Sequence, residues 1–288
     1  MIWAIPFILL FVVLLWGYLS SNLIIRNSRT PLEANPRTFG YDFEPFKTKT
    51  EDDVEIEGWL VPAKIKTKSA IVVLHGWGAN RSDVVPSTIF LGQHYNLAYF
   101  DFRNHGLSGG NESSLTCSEI KDFIAVVKFL KNHKSPMCES IAVYGFSMGG
   151  SVAISGSVKI PDIKAVVAES PFSSFNGTVV RFAGLFYKIP AVAVPLTLIF
   201  TRFRLGFDPE ECAPIYHISK ISPRPLFLIQ AGSDARMPVS EGKALFEAAK
   251  EPKEFWLVPD VDHGDIYKTA PQEYEKRILG FYRKWLKS

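Results

Sequence analysis

The sequence is poor in cysteine and has no long run of charge of either sign. Three cysteines, Cys117, Cys138 and Cys212, are widely spaced over 288 residues and form no C-x-x-C pair. An odd number of separated cysteines indicates neither a zinc site nor a disulfide framework, so we expect three partly buried thiols. The 32 basic and 29 acidic side chains leave a net charge of +3 without a basic tract. This balance argues against nucleic acid as a partner.

Charge is also absent from the N-terminal segment. Residues 2–25 contain no charged side chain, and aromatic residues stand near both ends of the run, at Trp3 and at Trp16. About 20 apolar residues in a helix cross the hydrocarbon layer of a membrane, and aromatic side chains favour its interfaces. We therefore predict a transmembrane anchor at residues 1–25, with membrane contact through residues 2–25.

A cleaved signal peptide is the alternative interpretation of this segment. It requires basic residues before the apolar run and small residues at a cleavage site after it. No Lys or Arg precedes the run, and Ser20-Ser21-Asn22 makes a poor cleavage site. An uncleaved single-pass anchor is therefore the preferred prediction.

The residues after the anchor predict its orientation and a linker. Arg26, Arg29 and Arg37 all follow the apolar run, and the positive-inside bias then places the catalytic domain in the cytoplasm. Residues 26–36 contain proline and asparagine and are typical of a linker. We expect one globular domain over residues 37–288.

The hydrophobic pattern of that domain predicts an α/β fold. Two candidate strands, 42–48 and 54–62, flank an acidic turn and indicate an antiparallel hairpin at a sheet edge. Short apolar runs typical of buried parallel strands follow at 70–74, 97–100, 141–144, 163–168, 226–229 and 255–258. Segments with helical spacing alternate with them at 84–94, 120–131, 148–158, 240–249 and 272–286. This alternation predicts a doubly wound, mostly parallel sheet with its functional groups at the carboxyl ends of the strands.

One of these strand ends carries a candidate nucleophile. Gly145-Phe146-Ser147-Met148-Gly149 matches G-x-S-x-G, directly after an apolar strand and directly before a helical segment. The motif needs this context, because the serine sits on a strained turn that the flanking glycines make possible. We therefore predict that Ser147 is a catalytic nucleophile.

A serine nucleophile needs a base and a carboxylate that orients the base. In folds with this motif the chain order is serine, acid, histidine, each in a loop after a strand. Asp234 follows the run at 226–229, and His263 follows the run at 255–258. The predicted catalytic triad is Ser147, Asp234 and His263.

The remaining histidines and acids fit less well. His75 and His105 precede the nucleophile, while His94, His133 and His217 lie at helix ends or in a polar loop. Asp208 is the second choice for the orienting acid. Three further acids, Asp260, Asp262 and Asp265, lie close enough to the base in sequence to influence its pKa.

Acyl transfer also requires two N–H donors for the oxyanion. One is expected from the backbone of Met148, the residue after the nucleophile. The other is expected from the loop His75-Gly76-Trp77-Gly78, where we choose the backbone N–H of Trp77. His75 itself is interpreted as a structural residue of that loop.

Several motifs together resemble the serine aminopeptidase-like and monoacylglycerol-lipase-like branch of the α/β-hydrolases, some of whose members have an N-terminal anchor. The motifs are His75-Gly-Trp-Gly-Ala-Asn-Arg81, Phe100-Asp-Phe-Arg-Asn-His-Gly-Leu-Ser108, Gly145-Phe-Ser-Met-Gly-Gly150, Gly232-Ser-Asp234 and His263-Gly264.

The resemblance implies a mostly parallel eight-stranded sheet, a Ser147–Asp234–His263 triad and an oxyanion hole at Trp77 and Met148. It also implies that three residues of one loop, Asp101, Arg103 and His105, are structural. Asn104 departs from the glycine usual in this family. The chemistry needs no metal and no organic cofactor.

A long insertion separates the strands at 163–168 and 226–229. It is too long for a simple connection and too apolar for a disordered linker, and we predict a helical cap at about 171–223. Its uncharged stretch 189–200 is too short to span a membrane. The stretch is either a buried cap helix or an interfacial helix, and both alternatives predict an apolar acyl pocket beneath it.

Three functions remain open from the sequence. The first is a membrane-anchored carboxylesterase or lipase acting on small-molecule or lipid acyl esters. The second is a peptidase or an acyl-protein thioesterase with the same triad. The third is a catalytically silent binding protein, which the presence of all three triad candidates disfavours.

Overall fold

The computed structural model describes residues 4–132 and 138–286. Its centre is an eight-stranded sheet in the order β1-β2-β4-β3-β5-β6-β7-β8. β1 pairs antiparallel with β2, β2 pairs antiparallel with β4, and the pairs from β4 to β8 are parallel. This architecture confirms the predicted fold class, including the antiparallel hairpin at the sheet edge.

The strands lie within a few residues of the predicted runs. In chain order β1 to β8 are Glu44–Lys49, Glu55–Val61, Ser69–Leu74, Asn96–Phe100, Ser140–Phe146, Ile163–Glu169, Leu226–Ala231 and Lys253–Val258. The α-helices α1 to α9 are Ala4–Ile25, Val85–Thr88, Cys117–Asn132, Met148–Lys159, Phe175–Tyr187, Val194–Leu205, Val239–Ala248, Ile266–Thr269 and Pro271–Trp285.

The central strands are apolar throughout because both faces of the sheet are covered. On one face Val72 and Val143 belong to a core that includes residues of α3, α4 and α7. On the other face Ile71 and Tyr144 pack in a second core with α9. Both faces lose water, so the usual alternation of apolar and polar residues disappears from these strands.

The segment predicted as one helix over 84–94 is broken. α2 ends at Thr88, and a 3-10 helix continues over Ile89–Gln93. Gly92 has low helix propensity, and it packs so closely on the Tyr41 ring that a Cβ there would lie 2.8 Å from the ring. Packing against that ring therefore takes precedence over helical continuity.

A disulfide bond joins Cys117 to Cys212, so the expectation of three free thiols was wrong for two of them. The bond links the start of α3 to a 3-10 helix, Pro209–Cys212, in the connection between β6 and β7. The two residues are 95 positions apart, and only the fold brings them together. Cys138 is free and half-buried.

α1 has two differently placed parts. Its N-terminal part is exposed, with 75% of Phe7 accessible, whereas Ile24 and Ile25 are buried. Among the described residues, this is the helix long and apolar enough to cross a membrane, with a mean hydropathy of 2.2. No regular helix or strand follows it before the 3-10 helix Pro36–Phe39.

The second part of α1 packs on α6. Gly17 lies against the Phe200 ring, and a Cβ there would come within 2.3 Å of it. The hydroxyl of Thr197 donates to that of Ser20 at 2.9 Å. The apolar stretch 189–200 thus contains the first turns of α6, the helix that contacts the N-terminal segment.

Candidate active site

Ser147 lies on a strained turn between β5 and α4. Its backbone has φ 54° and ψ −118°, a conformation rare for a residue with a side chain. A Cβ on Gly145 would lie 2.2 Å from the carbonyl oxygen of Gly149, and one on Gly149 would lie 2.4 Å from that of Leu74. Only glycine therefore fits two residues to either side of Ser147, as the motif predicts.

His263 and Asp234 form a buried pair. The Nδ1 atom of His263 lies 2.6 Å from Oδ2 of Asp234, and their side chains are 6% and 0% exposed. The other carboxylate oxygen of Asp234 accepts the backbone N–H groups of Arg236 and Met237 at 2.9 and 2.7 Å. These bonds fix the carboxylate, which in turn sets the orientation of the imidazole ring.

Ser147 and His263 line one cavity of about 500 Å³. Trp77 and Met148 line it as well, so the structure brings both predicted oxyanion residues to the predicted nucleophile and base. The connection between β6 and β7 contributes an apolar wall of Phe172, Thr178, Phe182, Phe186 and Tyr187. An apolar cavity next to a serine and a histidine is suited to an acyl or alkyl group.

The backbone of Met148 is placed for an oxyanion donor. Met148 is the first residue of α4, and the first turn of a helix leaves its N–H groups without intrahelical acceptors. The first helical hydrogen bond runs from the N–H of Ser151 to the carbonyl oxygen of Ser147 at 3.1 Å. The N–H of Met148 is thus left for a ligand, at the positive end of the helix dipole.

A model described as the alpha/beta hydrolase family matches residues 71–277. The chain belongs to the alpha/beta hydrolase family. The match spans the nucleophile turn, the triad candidates and the oxyanion loop.

The comparisons add relatives and a solved structure. YqkD of Bacillus subtilis (strain 168) is 26% identical over 250 residues, which cover 85% of this chain and 77% of that protein. YfhR of Escherichia coli (strain K12) is 25% identical over 284 residues, or 95% of this chain and 92% of that protein. The Pyrococcus furiosus esterase Pf2001 superimposes with a TM-score of 0.75 at 27% identity, covering 91% of this chain and 100% of that chain.

Two buried histidines hold the loop that is predicted to supply an oxyanion donor. Nε2 of His75 accepts the backbone N–H of Phe102 at 3.0 Å, and its Nδ1 donates to the carbonyl oxygen of Gly76. Nε2 of His105 accepts the N–H of Gly78 at 3.2 Å. Burial lowers the pKa of both imidazoles, to about 4 for His105, so each ring is neutral and able to accept through Nε2. The structural roles assigned to them from the sequence agree with these contacts.

The loop after β4 is itself held by buried ion pairs. The Asp101 carboxylate accepts the backbone N–H and the guanidinium of Arg81, both at 2.8 Å. Arg103 bonds to Asp122 at 2.7 Å and to Asp52 at 2.8 Å. Asp101 and Arg103 therefore have the structural roles that the resemblance implies.

Asn104 stands at the position where the family resemblance implies glycine. Its φ of 60° is left-handed, and asparagine tolerates this conformation better than most residues do. Its side-chain amide donates to the carbonyl oxygen of Ile25 at 3.3 Å. The substitution therefore retains the glycine-like backbone and adds a bond to the end of α1.

The remaining sequence candidates make other contacts and do not orient the His263 ring. Asp208 caps a 3-10 helix and pairs with Arg202 at 2.9 Å, and Asp262 accepts the backbone N–H of His263. His94 and His217 bond to Arg283 and to the carbonyl oxygen of Glu211. His133 lies outside the described residues.

Glu169 is a buried carboxyl group that the sequence interpretation missed. It ends β6, is 3% exposed, and its Oε2 accepts the hydroxyls of Tyr144 and Tyr274, both at 2.7 Å. Burial raises its pKa, while the two tyrosine hydrogen bonds and the nearby His263 oppose that rise. Its backbone carbonyl accepts the N–H of Ser147 at 2.8 Å. The sequence signal was an acidic residue ending an otherwise apolar strand.

Proposed function

We propose that this hydrolase is a membrane-anchored serine esterase that cleaves acyl esters through Ser147, His263 and Asp234. The observation that carries the proposal is the strained turn of Ser147 opening into an apolar cavity shared with an Asp234-bonded histidine. This combination supplies a nucleophile, a base, an orienting acid and room for an acyl group.

Acylation follows from these groups. The hydroxyl oxygen of Ser147 attacks the ester carbonyl carbon while Nε2 of His263 takes its proton. The resulting oxyanion accepts the N–H groups of Trp77 and Met148, and Asp234 stabilises the imidazolium through Nδ1–H. The tetrahedral intermediate then expels the alcohol, which receives the proton from His263.

Deacylation repeats the same steps with water. His263 removes a proton from a water molecule as it attacks the acyl carbon of the Ser147 ester. The second tetrahedral intermediate releases the carboxylic acid, and His263 returns the proton to the serine oxygen. The serine and the histidine end the cycle as they began it.

The preference for esters rests on the cavity and on one relative. The walls supplied by the connection between β6 and β7 are mostly aromatic, which suits an apolar acyl chain. The solved relative at 27% identity is itself an esterase. We interpret this connection as the cap over the site.

A substrate panel tests the proposal. We expect kcat/KM to be highest on p-nitrophenyl acyl esters and lower on acyl thioesters and on aminoacyl p-nitroanilides. Ser147→Ala should lower ester hydrolysis by roughly 10⁴-fold or more, whereas the exposed Ser240→Ala should leave it unchanged. A preference for the anilides, or full activity of Ser147→Ala, would contradict the proposal.

Peptide cleavage is the second candidate, and one feature of the cavity favours it. The exposed carboxylates of Glu33 and Asp83 line its rim, where they would attract the cationic amine of an aminoacyl substrate. If this candidate is correct, Asp83→Asn lowers kcat/KM on aminoacyl anilides and leaves that on neutral acyl esters unchanged. An acyl-protein thioesterase would bind its acyl group against the apolar walls alone. It would show its highest kcat/KM on the acyl thioesters of the panel.

Membrane attachment is proposed through the exposed part of α1. Apolar side chains of the cap, among them Val192 at 87% exposure and Phe203 at 83%, add to the apolar surface beside it. A variant lacking residues 2–16 retains the turns of α1 that pack on α6, so it should leave the membrane fraction and still hydrolyse short esters. Membrane flotation measures this. If the variant still floats with the membranes, the cap and not α1 attaches the protein to the membrane.

The side of the membrane is proposed from the disulfide. Bonds such as Cys117–Cys212 persist in oxidising compartments and are rare in a reducing cytoplasm. Arg29, which suggested a cytoplasmic domain, bonds to the carbonyl oxygens of Gly106 and Gly110 at 2.9 Å. These hydrogen bonds give Arg29 a structural role, so its charge does not require a cytoplasmic orientation. We therefore propose that the catalytic domain lies on the oxidising side of the membrane.

Protease accessibility tests this orientation. Full-length protein with a C-terminal tag is expressed in a bacterial host, and protease is added to intact spheroplasts. We expect the protease to remove the tag. We also expect Cys117 and Cys212 to resist alkylation until the protein is reduced. A protected tag together with two alkylated cysteines would instead support the cytoplasmic orientation.

A further inference from the structure

A second apolar crevice continues from the catalytic cavity to the end of the anchor helix. It shares five lining residues with the cavity, Trp77, Leu115, Thr178, Phe182 and Tyr187. Its remaining walls are Leu23 and Ile24 of α1 and Val179 of α5. The crevice is narrow, about 10 Å³ against about 500 Å³ for the catalytic cavity, so the space that it offers a ligand depends on how these side chains pack.

The last turns of α1 are fixed against the folded domain, so the crevice has a defined wall. The guanidinium of Arg204 donates to Ser21 and Asn22 at 2.9 and 2.7 Å. The carbonyl oxygen of Ile25 accepts the N–H of Ser113 at 2.7 Å and the side-chain amide of Asn104. Leu23 lies between these attachment points and is held at the crevice.

We propose that this crevice takes the distal part of the substrate's acyl chain and that Leu23 sets the chain length the enzyme prefers. The inference rests on the esterase function proposed above. An acyl group on Ser147 extends from the aromatic cavity past Trp77 and Phe182, whose rings are 6.4 Å apart, towards the base of the anchor. The lining side chains there are nearly all apolar, which suits the burial of an alkyl chain.

Chain-length profiles of full-length protein in detergent micelles test the inference. Each methylene buried is worth about fourfold in kcat/KM, so wild type should gain steadily from butyrate through octanoate to dodecanoate esters. Leu23→Trp should leave butyrate hydrolysis unchanged and lower dodecanoate hydrolysis about 15-fold, the loss of two buried methylenes. Leu19→Trp, one turn earlier on the exposed part of α1, is the matched control and should retain the wild-type profile.

Leu23→Ala widens the crevice and keeps the test decisive if the tryptophan variant fails to fold. It should raise the ratio of hexadecanoate to dodecanoate hydrolysis by at least about fourfold. Equal losses on all esters for Leu23→Trp, or an unchanged ratio for Leu23→Ala, would overturn the inference. If wild type hydrolyses no ester at all, the proposed function itself has failed, whereas an active wild type with unresponsive variants refutes the crevice alone.

Discussion

Asp234 is the residue on which the geometry of the proposed base, His263, depends. One of its carboxylate oxygens bonds to Nδ1 of His263 at 2.6 Å, and the other accepts two backbone N–H groups. Because a carboxylate only accepts, the proton on the neutral imidazole is held at Nδ1, and Nε2 keeps the lone pair that a base needs.

Asp234→Asn tests this role. The asparagine amide would turn its NH₂ towards Nδ1 and so favour the wrong imidazole tautomer, while its oxygen keeps the backbone hydrogen bonds. We expect kcat to fall roughly 10⁴-fold, the size of the corresponding effect in serine proteases, with the fold unchanged. Steady-state kinetics measure the fall in kcat, and circular dichroism checks that the fold is unchanged. A loss below about tenfold would argue for another orienting acid, since a good orienting bond is worth far more.

Glu169 predicts a pH dependence of stability. Burial raises its pKa in the folded protein above the unfolded value of about 4.3, so folding takes up a proton between the two values. Its contribution is complete below the unfolded pKa and is lost as the pH rises through the raised pKa. A difference of one between the folded and unfolded pKa values changes the free energy of unfolding by about 1.4 kcal/mol.

Glu169→Gln removes this titration and keeps an oxygen that accepts from Tyr144 and Tyr274. The difference in unfolding free energy between wild type and variant should therefore move in favour of the variant as the pH rises from 4 towards neutrality. Denaturant titrations at several pH values measure it, with the exposed Glu247→Gln as control. A difference that is constant with pH would show that the pKa of Glu169 is the same in the folded and the unfolded protein, which would contradict this account.

The sequence was sufficient for the residues whose chemistry is local. Ser147 could be predicted from its two flanking glycines. Asp234 and His263 could be predicted because each follows an apolar strand. Cys117 and Cys212 carry no such signal, because their contact depends on how α3 meets the cap. The same holds for Glu169, whose tyrosine partners come from β5 and α9.

Among the elements, the connection between β6 and β7 is attached to three other parts of the chain. The disulfide joins it to α3, and the carboxylate of Glu241 on α7 accepts the N–H of Ser173 at 2.7 Å. Its helix α6 packs along α1. The cap is thus fixed at three sides, and the walls of the cavity that it supplies are held in place.

The disulfide should contribute to the stability of this arrangement. It closes a loop of 95 residues, and such cross-links typically stabilise by about 2–4 kcal/mol, mainly by restricting the unfolded chain. The pair Cys117→Ser and Cys212→Ser should lower the unfolding free energy by that amount, and reduction of wild type should do the same. Urea unfolding measures both. Cys138→Ser is the control, and equal stability of all the proteins would show that the bond is not formed.

The strands were predictable because their apolar runs are short and bounded by turns. The division of α1 was not. Hydropathy treats residues 2–25 as one apolar segment, whereas Gly17, Ser20 and Ser21 form a face that accepts α6. A pattern of small residues within an apolar helix gives no indication of which partner helix it meets.

At the scale of the whole molecule, the candidate active site and the helix α1 form one continuous structure. The loop after β4 bonds to both, since His105 holds the oxyanion loop and Asn104 holds the end of α1. An apolar path runs from Ser147 past the cap to Leu23. This arrangement supports the proposal that the protein acts on acyl chains presented next to a bilayer.

Labelling with a fluorophosphonate probe is the most direct test of the central claim, that Ser147 is an activated nucleophile. The probe reacts with a serine only where a neighbouring base and oxyanion donors activate it. Membranes containing the full-length chain are treated with the probe, and the labelled peptide is identified by mass spectrometry. The account predicts label on Ser147 alone, lost in Ser147→Ala and retained in Ser240→Ala. A folded protein without label, or label that persists in Ser147→Ala, would contradict it.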